Sequence, residues 1–122
     1  MQLIGYDKCS TCRKARQWLV RQGVEFQERP IREQPPTAEE LDRWQKRSGM
    51  ELKKFFNTSG KLYQSMNLKD RLPAMTREEQ LRLLASDGML VRRPLLVDEN
   101  WVLVGFKEAE WSGRIIGGGA EA

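Results

Sequence analysis

The chain has 122 residues, 39% apolar and 31% charged, the size and balance of one globular domain with room for a sizeable core. It holds no histidine and only two cysteines, which excludes Ser-His-Asp and Cys-His relays, imidazole metal ligation and a four-thiolate zinc site within one chain. The net charge of +4 arises from 21 basic and 17 acidic residues intermixed, with no basic stripe interleaved with aromatics, so direct nucleic-acid binding is not the expected role.

The start, MQLIGYDKCS, has neither a basic leader nor an apolar signal region, and no apolar run approaches the ~20 residues of a membrane span. Cytoplasmic residence with no membrane partner is expected. QLIGY reads as a short buried strand, after which Asp7 and Lys8 lead into Cys9. A helix is expected from Ser10, with Ala15, Trp18, Leu19 and Gln22 on one face and Gly23 as its stop. VEFQERPI then reads as a half-buried strand in which Val24 and Phe26 alternate with Glu25 and Gln27. Strand, helix and strand within about thirty residues predict a βαβ unit with parallel strands.

Pro35 and Pro36 break the chain before a second helix, opened by the Thr37–Glu40 capping box, anchored by Leu41 and Trp44 and ended by Gly49. ELKKFFN predicts a further helical turn, stopped by Asn57-Thr58-Ser59-Gly60, and KLYQSMNLKDRLPAM predicts short helical pieces. Thr76 and Glu79 form another capping box before Leu81, Leu83 and Leu84, with a stop at Asp87-Gly88. LLVD and WVLVGF, joined across Glu99-Asn100, predict an antiparallel hairpin, and KEAEW starts a closing helix. The expected architecture is α/β: β-α-β, a helical insertion at about 37–90, then β-β-α in a single domain over 1–114. The tail 115–122, rich in glycine, is expected to be disordered or introduced by cloning.

Cys9-Ser10-Thr11-Cys12 falls where a strand ends and a helix begins. A thiol there faces unpaired backbone N–H groups and the positive end of the helix dipole, both of which favour the thiolate that attacks disulfides. Lys8, Arg13 and Lys14 add positive potential, with no acid between Lys8 and Arg21. Cys12 lies about one helical turn further on, within reach of a mixed disulfide at Cys9. Cys9 is therefore the expected nucleophile and Cys12 the resolving thiol. Two structural cysteines, half of a metal site shared between subunits, and a persistent disulfide are the other readings. The first rarely falls at such a junction, the second lacks a visible second ligand pair, and the third would close too small a loop. Arg93-Pro94 before a strand is ordinary structure unless the fold brings it to the cysteines, where Arg93 could serve the thiolate or an anion.

GYDKCSTCRKARQWL, RRPLLVDENWVLVGF and the intervening helices resemble the arsenate reductase (ArsC)-like and Spx-like branch of the thioredoxin superfamily over about residues 1–111. The resemblance implies a thioredoxin-like fold with a mixed four-stranded sheet and a cis Pro94 facing the CxxC. It equates Cys9 with the catalytic cysteine of the reductases and the first redox cysteine of Spx, and Cys12 with the second cysteine of Spx. The reductases hold their oxyanion with three arginines, of which this chain keeps Arg93. Asn57 and Gly105 are read at the other two places. Each lost arginine removes a charge-assisted contact worth ~1.5–3 kcal/mol, unless Lys53, Lys54 or Lys61 compensates. Gly49 matches a glycine at the surface with which Spx-like proteins bind the C-terminal domain of the RNA polymerase α subunit. Its role as a helix C-cap is sufficient by itself to explain a glycine there. Segments such as FFNTSG and SDGMLVRRP are closest to uncharacterised members.

The expectation is a thiol-disulfide redox protein with no prosthetic group, returned to the dithiol by glutathione, glutaredoxin or thioredoxin. The alternatives are a redox-gated protein touching RNA polymerase, a true arsenate reductase, and a non-redox binding module on the same scaffold.

Overall fold

The computed structural model describes residues 1–117, so the expectation for the rest of the tail lies outside the described residues. Its frame is a mixed four-stranded sheet in the order β2-β1-β3-β4. β1 (Gln2–Gly5) pairs in parallel with β2 (Gln27–Pro30) by way of helix α1 (Ser10–Arg21). On its other side β1 pairs antiparallel with β3 (Leu95–Val97), which forms a hairpin with β4 (Val102–Val104).

Strand alternation sorts the side chains into two cores. Leu3, Leu96 and Leu103 pack with Ala15, Trp18 and Leu19 of α1 and with Trp111. Ile4, Leu95, Val97, Val102 and Val104 face the other way, against the helices that connect β2 to β3. Those are α2 (Ala38–Ser48), a 3-10 turn at Leu52–Phe55, α3 (Lys61–Ser65), α4 (Leu68–Arg71), a second 3-10 turn at Leu72–Ala74 and α5 (Arg77–Ser86). A third 3-10 turn, Gly88–Leu90, leads to β3. α6 (Glu108–Ser112) closes the α1 face, and a π-helical turn follows at Gly113–Gly117.

Both capping boxes form as expected. Thr37 Oγ1 accepts the Glu40 N–H at 3.1 Å while Glu40 accepts the Thr37 N–H at 3.0 Å, and Thr76 and Glu79 repeat the arrangement at 3.1 and 2.8 Å. Gly88 is required by a close approach: a Cβ there would stand 2.1 Å from the Ile31 carbonyl oxygen.

The second strand is shorter than VEFQERPI. Gly23 N–H donates to Val20 O at 3.1 Å and Val24 N–H to Leu19 O at 3.3 Å, so both amides are spent on the end of α1. Pairing begins only at Gln27, whose N–H donates to Met1 O at 3.0 Å. Val24 and Phe26 are half-buried before the strand, against the α1-side core, while β2 itself is a mostly exposed edge. Gln22, expected on the apolar face of α1, is instead its exposed C-cap.

Arg29 joins β2 to α2. Its guanidinium donates to both Glu40 carboxylate oxygens at 2.7 and 2.8 Å, and to the carbonyls of Gln34 and Pro35 at 2.9 and 3.0 Å. The Arg29 hydrogen bonds hold the Glu40 carboxyl down at about 2, helped by the Thr37 backbone and opposed by partial burial.

Candidate active site

β1 ends at Gly5, and the chain turns through Tyr6, Asp7 and Lys8 to Cys9, which caps α1 with extended backbone angles (φ −96°, ψ 118°). Cys9 N–H donates to Tyr6 O at 3.1 Å, and Arg13 N–H donates to Cys9 O at 3.1 Å. The Cys9 sulfur accepts the Cys12 N–H at 3.3 Å, taking the position that a serine or aspartate oxygen takes in an ordinary N-cap. Ser10 and Thr11 are exposed in the first helical turn.

The two thiols differ in environment. Cys9 is half-buried, whereas Cys12 is 6% exposed; both are free. Cys12 packs against the end of β1, where a Cβ on Gly5 would lie 3.3 Å from both its Cβ and its Sγ. Burial is the main cause pushing the Cys12 thiol up to about 12, and its hydrogen bond with the Cys9 side chain adds to this. A backbone hydrogen bond with Tyr6 and the charge of Arg93 act in the opposite direction.

Arg93-Pro94 is a cis peptide bond, as the family resemblance implies. The registers Ile4↔Leu95 and Leu95↔Val104 bring Gly5, Pro94 and Gly105 to one end of the sheet, and Gly105 N–H donates to Pro94 O at 2.8 Å. The Arg93 guanidinium lies over the Tyr6 ring, 5.4 Å from its centroid. Its Nη1 donates to the carbonyls of Met89 and Val91 at 3.3 and 3.2 Å, while its Nε is buried without a partner. Among the described residues no hydrogen bond joins Arg93 to Cys9; its charge reaches the pair through Cys12.

Lys8, Arg13 and Lys14 are exposed, and Arg13 Nη1 donates to Asp7 O at 3.0 Å, which holds its guanidinium beside the turn. Asn57 N–H donates to Leu90 O at 2.8 Å, and its side chain lies over Gly60, so it builds the turn after the first 3-10 segment. Gly105 (φ +72°) is covered by the Arg92 guanidinium, whose Nε lies 3.0 Å from where a Cβ would stand. Gly49 is the left-handed C-cap of α2 (φ +69°), exposed with open space around it, which accounts for a glycine on backbone grounds.

Tyr6, Gly5 and Arg92 are the residues that sequence reasoning passed over. A strand-ending Gly-Tyr before the CxxC and a doubled arginine before the proline were their only local signals. A groove of about 490 Å³ between α1, the end of β1 and β2 reaches Cys12 from the side, lined also by Tyr6, Arg13, Arg16, Glu28 and Arg29. The larger groove, about 840 Å³, lies at the other end of the sheet near Met1 and Asp98 and contains neither cysteine. Among the described residues no group of three Cys, Asp or Glu could hold a metal ion, and no helix is long and apolar enough to cross a membrane. The chemistry available at the CxxC turn is that of two neighbouring thiols, one accessible and one buried.

The ArsC family model matches residues 4–113. The uncharacterised protein YusI of Bacillus subtilis (strain 168) is 56% identical over 106 residues, covering 87% of this chain and 90% of its own length. The global transcriptional regulator Spx of Enterococcus faecalis is 35% identical over 103 residues, covering 84% of this chain and 76% of its own. The crystal structure of an ArsC family related protein from Bacteroides fragilis superposes with a TM-score of 0.89 at 50% identity, covering 91% of this chain and 93% of that one. With its mixed sheet, its cis proline beside a CxxC turn and this match over nearly all its length, the chain has a thioredoxin-like fold and belongs to the ArsC family.

Proposed function

We propose that this member of the ArsC family is a cytoplasmic thiol–disulfide oxidoreductase in which Cys9 attacks and Cys12 resolves. The observation that carries the reading is the asymmetry of the two thiols: Cys9 is accessible with its sulfur accepting a backbone N–H, while Cys12 is buried and held protonated. In the first step Cys9 loses its proton to solvent and attacks one sulfur of a substrate disulfide. The substrate S–S bond breaks, and its other half leaves as a thiolate that takes a proton. Cys12 then loses its proton and attacks Cys9 Sγ, which releases the second half as a thiol and leaves a Cys9–Cys12 disulfide. An external thiol, glutathione or the dithiol of glutaredoxin or thioredoxin, returns the pair to the reduced state.

Mass spectrometry after mixing with bis(2-hydroxyethyl) disulfide tests this. Cys12→Ser should accumulate a mixed disulfide on Cys9, the native chain should progress to the intramolecular disulfide, and Cys9→Ser should do neither. A Cys9→Ser variant that reacts as fast as the native chain overturns the assignment.

A second reading is supported by the Spx relatives: a redox-gated contact with the C-terminal domain of the RNA polymerase α subunit, centred on Gly49 at the exposed end of α2. Capture of purified α-subunit domain by either the reduced or the oxidised chain, abolished by Gly49→Arg, supports it; no capture in either state removes it. Arsenate reduction draws support from family membership and from the likeness to a possible arsenate reductase of Streptococcus mutans, while Asn57 and Gly105 stand where the resemblance asks for arginines. Glutaredoxin-coupled arsenate turnover that survives Cys12→Ser and is lost with Cys9→Ser is the result that would establish it.

A further inference from the structure

Gly5 and Cys12 meet where the first turn of α1 packs on the end of β1. Strand alternation turns Leu3 and Gly5 toward α1, while Ile4 faces the other core. On the helix, Cys12 belongs to the same buried stripe as Ala15, Trp18 and Leu19. Leu3 fills the sheet side of that stripe against Ala15, Trp18 and Leu19. Nearer the start of α1, Gly5 offers no side chain and Cys12 occupies the space. A Cβ on Gly5 would stand 3.3 Å from both the Cβ and the Sγ of Cys12, inside ordinary van der Waals separation. The backbone makes no demand for glycine here: Gly5 is not among the residues with positive φ, and its carbonyl accepts the Ile31 N–H at 2.9 Å as any strand residue could.

Resting on the redox reading above, we infer that Gly5 is a positioning residue for the resolving step: lacking a side chain, it lets Cys12 withdraw against β1 and so prolongs the mixed disulfide on Cys9. The step is the second exchange described above. Cys12 loses its proton, its sulfur bonds Cys9 Sγ, and the substrate half leaves with the electron pair of the broken S–S bond and takes up a proton. Its rate follows the thiolate fraction of Cys12, which cover from water keeps small. A Cβ on residue 5 would have to displace something. Ala15 and Leu19 are fully buried further along α1, and the Arg13 guanidinium is tied to the Asp7 carbonyl at 3.0 Å, so the helix is anchored and the Cys12 thiol is the part that turns away from β1. Out of that cover it ionises more readily. Cys9, Arg93 and the Tyr6 backbone bear on Cys12, and Asp7, Arg13, Arg16, Glu28 and Arg29 line the groove beside it. Gly5→Ala adds no charge and removes none of these groups.

The test compares Gly5→Ala with the native chain. After mixing with bis(2-hydroxyethyl) disulfide, mass spectrometry follows the mixed disulfide on Cys9 and its decay to the Cys9–Cys12 disulfide. In Gly5→Ala the decay should quicken about threefold for each unit by which the Cys12 thiol falls, since a larger thiolate fraction is partly offset by weaker nucleophilicity. Attack by Cys9, measured with Cys12→Ser in both chains, should stay within about twofold. The pH profile of Cys12 alkylation by iodoacetamide, read in Cys9→Ser and in Gly5→Ala/Cys9→Ser, should move to lower pH in the second. Leu3→Val trims the same face without entering the space of Cys12 and should leave decay and profile unchanged. An unchanged or slower decay in Gly5→Ala, an unmoved profile, or a like effect of Leu3→Val overturns the proposal and leaves the redox reading standing. Should Gly5→Ala not fold, Cys9→Ser alone decides: Cys12 alkylated at pH 8 at least about tenfold more slowly than 2-mercaptoethanol supports the withdrawn thiol, and faster labelling overturns it. No mixed disulfide on Cys9 in the native chain overturns both readings.

Discussion

Tyr6 links Cys9, Cys12 and Arg93. Its carbonyl accepts the Cys9 N–H, its backbone acts on the Cys12 thiol, and its ring lies under the Arg93 guanidinium. A cation over an aromatic face contributes ~0.5–1 kcal/mol where it is exposed and more where desolvated. Tyr6→Phe preserves that face and should exchange with bis(2-hydroxyethyl) disulfide within about twofold of the native rate. Tyr6→Leu removes it, frees Arg93, and should slow the exchange about two- to fivefold; equal rates for both variants would deny the ring its positioning role. The two cysteines offer a second residue-scale check. With its thiol pushed up to about 12 and its surface covered, Cys12 should resist iodoacetamide from pH 7 to 9 while Cys9 is labelled. Peptide mapping of the labelled chain reads this, and comparable labelling of both would contradict the asymmetry.

At the scale of elements, the Arg29–Glu40 pair ties the edge strand β2 to the first turn of α2. Glu40 has a folded-state pKa of about 2, below its value of 4.5 in the absence of the fold, so the unfolded chain binds more protons between those values. The stability it contributes is complete above about pH 5 and is lost as the pH falls toward 2. With screening of a partly exposed pair, that contribution is roughly 1–2 kcal/mol. Denaturant unfolding of Glu40→Gln should show a lower midpoint at pH 7 and a flatter fall from pH 5 to 2.5 than the native chain. An identical pH slope in the two would remove Glu40 from the account. These contacts could not be read locally. Thr37 and Glu40 were legible as a capping box because both lie within one helical turn, but Arg29 belongs to another element. The expected strand at Val24 failed for a related reason: its amide was claimed by the end of α1 before the sheet could use it.

For the whole molecule, the sheet separates two cores, and the smaller one on the α1 face depends on α6. Trp111 is 0% exposed, meets Trp18 and Phe106 edge-on, and donates its indole N–H to Gly105 O at 2.9 Å. It therefore seats the last helix, the first helix and the segment just after β4 against one another. Trp111→Ala should cost about 3–5 kcal/mol in denaturant unfolding, since a large cavity and an unpaired carbonyl would remain. A loss under ~1 kcal/mol would mean that α6 is dispensable to the fold.

By itself the sequence determined the order of elements, both capping boxes, the hairpin and the position of the cysteines at the start of α1, because each rests on residues a few places apart. The tertiary structure decided which of those cysteines is covered. Gly5, lacking a side chain, lets Cys12 close onto β1, and Tyr6 and Arg93 meet only because β1 and β3 are neighbours in the sheet. Burial and charge at a thiol are summed over everything around it in space, and the Arg93 charge reaches Cys12 from a segment far away in sequence that only the fold brings near.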